Sequence, residues 1–176
     1  MTRFVIGPDV ALRLAHDQAV VGGEHQILAP TLLRSHVLSL LYQAVRRGDM
    51  TKQDAGQRLS YVRGLRIRLL GDRVLQDVAW KVADELGWPD TFSAEYVALT
   101  TLQADAFITL DAQLARAVSD LVTVAPTEAL GMPTEVTRAE ALLWKRNPRE
   151  AARIASSLDA AATDSGMAAD LAADDL

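Results

Sequence analysis

Hydrophobic positions along the chain alternate between short β-prone runs and longer segments with helical spacing. Residues 3–6 form a β-prone run that ends at Gly7-Pro8, and residues 9–19 then place Val10 and Leu14 on one helical face. The same order recurs further along, with predicted strands at 26–29, 65–70, 106–109 and 121–124 and predicted helices at 31–48, 51–62, 72–86, 91–103 and 111–118. Strands that alternate with helices favour an α/β fold with a five-stranded, mostly parallel sheet covered on both faces.

Residues that favour turns and helix caps separate these segments. Thr31, Thr51 and Asp72 each come directly before a helical pattern, where a short polar side chain can accept a hydrogen bond from a free backbone N–H. Gly48 and Gly87 follow the last apolar positions of their segments. We therefore predict N-caps at the three polar residues and helix ends at the two glycines.

The last part of the chain differs from the part before it. Residues 132–163 are predicted to form a C-terminal helical extension, with helices at 137–146 and 149–162. Residues 164–176 contain acidic residues and alanines without an apolar stripe, which is typical of a disordered acidic tail. The predicted organisation is therefore a domain at 1–131, an extension at 132–163 and a tail at 164–176.

Composition and charge limit the range of possible functions. The chain has no cysteine, which excludes disulfides and Cys-based metal sites. Its net charge of −5 arises partly from five aspartates in residues 159–176, so the remainder is close to neutral and nucleic acid is neither excluded nor indicated. No apolar stretch is long enough to span a membrane, and the first ten residues lack a signal-peptide core. We expect a soluble, cytoplasmic protein.

Two acidic residues follow predicted strands at the edge of the sheet where ligands bind. Asp9 follows the first strand and Asp111 follows the strand at 106–109. Two facing carboxylates there could hold Mg²⁺ or Mn²⁺, because hard divalent cations prefer oxygen ligands. Each could instead cap the helix that follows it. No G-x-G-x-x-G or Walker pattern follows the first strand, which disfavours a dinucleotide or nucleotide enzyme.

A family resemblance rests on residues 65–118. They contain a basic-apolar strand, a helix that ends in Leu86-Gly87, the stretch Ser93-Ala94-Glu95-Tyr96 and the stretch Thr109-Leu110-Asp111. This order resembles the second half of a PIN domain of the VapC toxin ribonucleases, and residues 3–14 and the Pro30 turn resemble its first half. The resemblance covers about the first 130 residues. It implies a PIN-like three-layer α/β/α fold with a five-stranded sheet.

The resemblance also implies a chemistry, namely hydrolysis of RNA at a Mg²⁺ or Mn²⁺ site built from three or four acids. Of the family's acidic positions only Asp111 is kept, together with the neighbouring Thr109. The other three carry Gly7, His36 and Ser93. One carboxylate from four positions should bind Mg²⁺ only weakly. We therefore expect a non-catalytic or strongly impaired relative that binds RNA or protein. The alternative is an active endoribonuclease that uses Asp9, Asp90 and Asp111.

Several residues have two interpretations at this stage. His36 is either a transition-metal ligand with Asp9 and Asp111 or a hydrogen-bonded histidine in the cleft. Ser93 is either a nucleophile or a helix cap, and Asp90 either helps to bind metal or serves a turn. Arg66 and Arg68 alternate with apolar residues on a predicted edge strand, where they could contact RNA or protect the edge from aggregation.

Partners follow from the resemblance alone. PIN toxins resemble one another in forming homodimers and in binding an antitoxin whose Arg or Lys enters an acidic pocket. The resemblance therefore implies a homodimer, an antitoxin-like protein and RNA as candidate partners. Since three of the acidic positions carry Gly7, His36 and Ser93, that mode of inhibition is less favoured here.

Overall fold

The computed structural model describes residues 1–131. The helices predicted at 137–146 and 149–162 and the tail predicted at 164–176 lie outside the described residues. The division of the chain at residue 131 therefore stays a prediction.

Within the described residues, four parallel strands form the sheet: β1 (Thr2–Ile6), β2 (His25–Pro30), β3 (Ile67–Leu70) and β4 (Ala106–Ile108). Their spatial order is β3-β2-β1-β4, so β1 and β2 are central and β3 is an edge strand. The side chains are buried from Phe4 to Ile6 in β1, from Ile27 to Pro30 in β2 and throughout β4, as expected for a parallel sheet covered on both faces. The largest of them that are fully buried are Val5, Ile6, Leu28, Phe107 and Ile108.

Between residues 1 and 131, six α-helices connect and follow the strands: α1 (Pro8–Asp17), α2 (Leu33–Arg47), α3 (Lys52–Gly64), α4 (Arg73–Leu86), α5 (Phe92–Gln103) and α6 (Ala112–Val118). Helices α1, α2 and α3 contact one another, and α4 packs on α5, which also contacts β1 and β2. The arrangement is consistent with a three-layer α/β/α fold. A short 3₁₀ helix follows at Thr127–Leu130.

The prediction of a fifth strand at 121–124 is wrong for the part of the chain that the structure describes. Only Val124 forms a β-bridge, with Phe107 of β4. The backbone N–H groups of Leu121 and Val122 both donate to the carbonyl of Val118, at 2.9 and 3.0 Å. Because these bonds continue the turn that ends α6, the chain becomes extended too late to form a strand.

The predicted caps have mixed outcomes. Thr51 forms a reciprocal capping box with Asp54, and Asp72 accepts a hydrogen bond from the N–H of Leu75, so both predictions are confirmed. The prediction for Thr31 is wrong, since α2 begins after Leu32 without a side-chain cap. The N–H of Thr31 still donates to the carbonyl of Leu70 at 3.0 Å. Thr31 therefore extends the sheet, and the helix starts beyond it.

No helix between residues 1 and 131 combines the length and the apolar character that crossing a membrane would require.

Candidate functional site

The carboxyl ends of β1 and β4 lie side by side. Ile6 pairs with Ile108, and the N–H of Gly7 donates to the carbonyl of Ile108 at 3.0 Å. Pro8 then begins α1, so its first turn starts directly at this edge. This register brings Asp9, in the first turn of α1, next to the loop that leaves β4.

The Asp9 carboxylate bridges these two segments. Its Oδ2 accepts a hydrogen bond from the Thr109 hydroxyl at 2.8 Å and another from the N–H of Leu110 at 2.6 Å. It does not cap α1, whose N-cap residue is Gly7 and has no side-chain cap bond. Asp9 therefore connects the beginning of α1 to the end of β4, and the structure brings Asp9 and Thr109 together.

The space above Gly7 is occupied by this same carboxylate. A β-carbon added at Gly7 would lie 2.3 Å from Asp9 Oδ1, well inside van der Waals contact. Asp9 Oδ1 is buried, and it has no hydrogen-bond partner among the described residues. The resemblance puts its first acid at Gly7. The carboxylate of Asp9 thus reaches back into the space that a side chain at that position would fill.

Asp111 serves as the N-cap of α6. Its Oδ1 accepts hydrogen bonds from the N–H groups of Gln113 and Leu114 at 2.8 and 3.0 Å. The N–H of Asp111 donates to the Thr109 hydroxyl at 3.1 Å. Thr109 therefore links the two acids, because its hydroxyl donates to Asp9 and accepts from the backbone of Asp111.

A cleft of about 320 Å³ lies beside this edge and brings Asp90, Ser93 and Asp111 together. Asp90 Oδ1 accepts a hydrogen bond from the N–H of Phe92 at 3.0 Å, so Asp90 supports the turn that begins α5. The cap prediction for Ser93 is wrong, because Thr91 is the N-cap residue of that helix. Asp9 is not among the residues that line the cleft.

His36 belongs to an aromatic cluster. Its Nδ1 lies 3.4 Å from the Tyr96 hydroxyl oxygen, a long hydrogen bond, and its ring centroid lies 5.5 Å from that of Phe92. The geometry fits the hydrogen-bonded histidine of the two interpretations. Burial raises the pKa of Tyr96 far above its usual range, and the negative charges of Glu95 and Asp9 raise it further. The Tyr96 hydroxyl therefore stays protonated and can donate a hydrogen bond to His36.

The apolar pattern of α5 predicts core packing for Tyr96, which its burial confirms, and gives it no role in the site. Tyr96 is 2% exposed, and its ring contacts those of His36 and Phe107. The signal for it was the Ser93-to-Tyr96 stretch that carried the resemblance. Since helical residues three apart share a face, Ser93 in the cleft already implied that Tyr96 faces the same side.

The carboxylates do not assemble into a cation-binding group. Across residues 1–131 the structure contains no cluster of three or more His, Asp or Glu side chains that could hold a metal ion. Asp9, Asp90 and Asp111 each have one carboxylate oxygen bonded to backbone N–H. As they are arranged, these residues do not form the Mg²⁺ or Mn²⁺ site of three or four acids that the resemblance implies.

Arg66 and Arg68 lie at the β3 edge of the sheet and do not line the cleft. Arg68 is on the edge strand β3 and Arg66 directly precedes it; both side chains are exposed, whereas Leu65, Ile67 and Leu69 are partly buried. The predicted alternation along an edge strand is confirmed. Neither arginine is among the residues that line the cleft with Asp111, so the structure does not join them to that site.

Comparisons with known proteins bear on the fold. No protein-family model and no curated protein matches this chain. Among solved structures, the crystal structure of PAE2754 from Pyrobaculum aerophilum is similar, with a TM-score of 0.58 and 18% sequence identity. The match covers 73% of this chain and 92% of that chain. At this level of identity the similarity concerns the fold alone.

Proposed function

We propose that this chain is a non-catalytic, PIN-like relative of the VapC toxin ribonucleases that acts as a binding module for RNA or protein. One observation carries the proposal. Each of the three acids that could rebuild a metal site, Asp9, Asp90 and Asp111, already uses a carboxylate oxygen to bind backbone N–H groups. These three carboxylates stabilise the fold instead of presenting both oxygens to a cation.

The physical reason lies in what Mg²⁺ requires. The ion demands near-octahedral oxygen geometry at roughly 2.0–2.1 Å and is usually held by one or two carboxylates together with substrate phosphates. A carboxylate oxygen that accepts two N–H bonds, as Asp111 Oδ1 does, has its lone pairs committed. If Asp111 Oδ1 bound a metal ion instead, α6 would lose its N-cap hydrogen bonds. The alternative ligands at the substituted positions are a glycine, a histidine bonded to Tyr96, and a serine.

Two measurements on the wild-type protein test the proposal. Calorimetric titration with Mn²⁺ should give no binding tighter than about millimolar. Incubation of single-stranded RNA with Mn²⁺ should give no cleavage above the buffer rate. Cleavage that is stimulated by Mn²⁺ and disappears in Asp111→Asn overturns the proposal, because Asn keeps the cap and removes only the charge.

A gain-of-function pair tests the cause directly. His36→Glu with Ser93→Asp restores two acids at the positions where the resemblance expects them, and it should raise Mn²⁺ affinity by about tenfold or more. The matched control is His36→Gln with Ser93→Asn, which has the same shapes without the charges. Equal Mn²⁺ affinities of the two double variants would contradict the argument that missing charge explains the weak site.

A second candidate function is an active Mg²⁺- or Mn²⁺-dependent endoribonuclease that uses Asp9, Asp90 and Asp111. It is supported by Asp9 Oδ1, which is buried, lacks a hydrogen-bond partner among residues 1–131 and lies where a side chain at position 7 would project. A buried carboxylate oxygen without a partner is costly unless it has a use. Under this candidate, Asp9→Asn abolishes Mn²⁺-stimulated RNA cleavage, whereas under the binding-module proposal there is no cleavage to abolish.

A further inference from the structure

The outer side of β3 is an open backbone edge within the described residues. β3 pairs with β2 on one side, and the carbonyl of Leu70 accepts a hydrogen bond from the N–H of Thr31. Successive residues of a strand direct their backbone groups to opposite sides. Leu69 therefore points its N–H and C=O away from β2, toward the position that a further strand would take.

The two faces of this edge have different chemistry. One face forms the floor of an apolar groove of about 530 Å³ between β3, α2 and α3. Its apolar lining includes Leu38, Leu59, Val62, Leu65, Ile67 and Leu69. The opposite face carries the exposed Arg66 and Arg68. Of the residues that the structure describes, none offers either arginine a carboxylate within salt-bridge distance.

We propose that the β3 edge binds an extended segment of a protein partner in which apolar and acidic residues alternate. Such a segment adds to the sheet as a further strand, and its backbone pairs with Leu69. Its side chains then point alternately to the two faces. The apolar ones enter the groove, and the acidic ones lie across from Arg66 and Arg68, where opposite charges on neighbouring strands attract.

The charges at the edge decide between this partner and the alternatives. A second copy of β3 added at the same edge would bring arginines near arginines, and like charges on neighbouring strands repel. RNA could contact the arginines but would leave the apolar groove uncovered. Arg34 and Arg63 also line that groove, whose lining contains no acidic residue. A peptide that alternates acidic and apolar residues can fill the apolar groove and at the same time place carboxylates beside Arg66 and Arg68.

The experiment measures binding of a fluorescein-labelled peptide of eight residues that alternates Glu and Val. Fluorescence anisotropy should show saturable binding to the full chain, and a peptide with Lys in place of Glu should bind at least about tenfold more weakly. The double variant Arg66→Glu/Arg68→Glu should weaken binding of the Glu peptide by about tenfold or more. The matched control Arg46→Glu/Lys81→Glu carries the same change in net charge away from β3 and should bind normally.

A backbone variant separates strand addition from simple charge attraction. Leu69→Pro removes the outward N–H and leaves the Arg68 and Leu70 bonds to β2 in place, and proline is tolerated on edge strands. It should weaken binding of the Glu peptide at least as much as charge reversal does, with thermal unfolding used to verify folding.

The proposal is overturned if the Glu peptide does not bind, if both peptides bind equally, or if Arg66→Glu/Arg68→Glu has no effect. Tighter binding of a single-stranded oligouridylate at this edge also overturns it. None of these outcomes depends on metal binding or RNA cleavage in the cleft.

Discussion

The cleft and the β3 edge use their charged residues in opposite ways. In and beside the cleft, Asp9, Asp90 and Asp111 all accept hydrogen bonds from the backbone of neighbouring loops and helix starts. At the edge, Arg66 and Arg68 are exposed, and no ion pair of the described residues includes them. The fold therefore depends on the first set of charges and leaves the second set available.

This contrast matters for inferring function from charge. A carboxylate near a sheet edge indicates a metal site only if its oxygens are free to bind the metal, and backbone N–H groups compete for them. A cation that no part of the fold neutralises is a better indication of a partner, although exposed charge also protects edges from aggregation. Stability measurements can distinguish the two situations, since a charge that supports the fold is costly to remove.

The largest effect is expected for Gly7→Ala. The new β-carbon would lie 2.3 Å from Asp9 Oδ1 and would displace the carboxylate from Thr109 and Leu110. We expect a loss of about 3 kcal/mol in the free energy of unfolding, from overpacking together with lost charged hydrogen bonds. Urea denaturation measures it. Gly56→Ala, in α3 with open space around it, is the matched control and should be neutral or stabilising.

Asp9→Ala comes next, with an expected loss of about 2 kcal/mol because the Leu110 N–H and the Thr109 hydroxyl lose their acceptor. The variant also empties the space above Gly7. Gly7→Ala should therefore have little further effect in the Asp9→Ala background. Full additivity of the two substitutions in a double-mutant cycle would contradict the contact between these positions.

Asp111→Ala should cost about 1 kcal/mol, the usual effect of removing an N-cap. The lost bonds are those from Gln113 and Leu114 to Asp111 Oδ1. Asp111→Asn keeps an acceptor at the same place and should be nearly neutral in the same urea titration. If Asn were as destabilising as Ala, the negative charge of Asp111 rather than its cap would support α6.

Much of the fold could be predicted because its strands and helices have different apolar periods. Strands β1, β2 and β4 and the helices after them lie within a few residues of their predicted positions. The prediction failed at 121–124, where Leu121 and Val122 have a strand-like composition. There the backbone bonds to Val118 keep the chain in a turn, while Val122 is buried all the same. A run of apolar residues indicates that the segment is buried, but it does not by itself specify a strand.

The site was less predictable, because its decisive contacts are tertiary. The caps of Asp72 and Asp111 follow from local sequence alone. The reach of Asp9 to Thr109 depends on the register of β1 against β4 and on the missing side chain at Gly7. A glycine where the resemblance expects an acid, followed two residues later by an acid, is the one local sign of that arrangement.

The smallest effect on stability is expected for the two exposed arginines at the β3 edge. Arg66→Gln/Arg68→Gln should change the free energy of unfolding by less than about 0.5 kcal/mol, since exposed side chains without partners contribute little. The same urea titration that detects Asp9→Ala measures it. A loss above about 1 kcal/mol would mean that the arginines are bonded within the folded chain, and the β3 edge would then resemble the cleft. With stability unchanged, any loss of peptide binding in this same Gln double variant belongs to the interface, because the fold does not need these two charges.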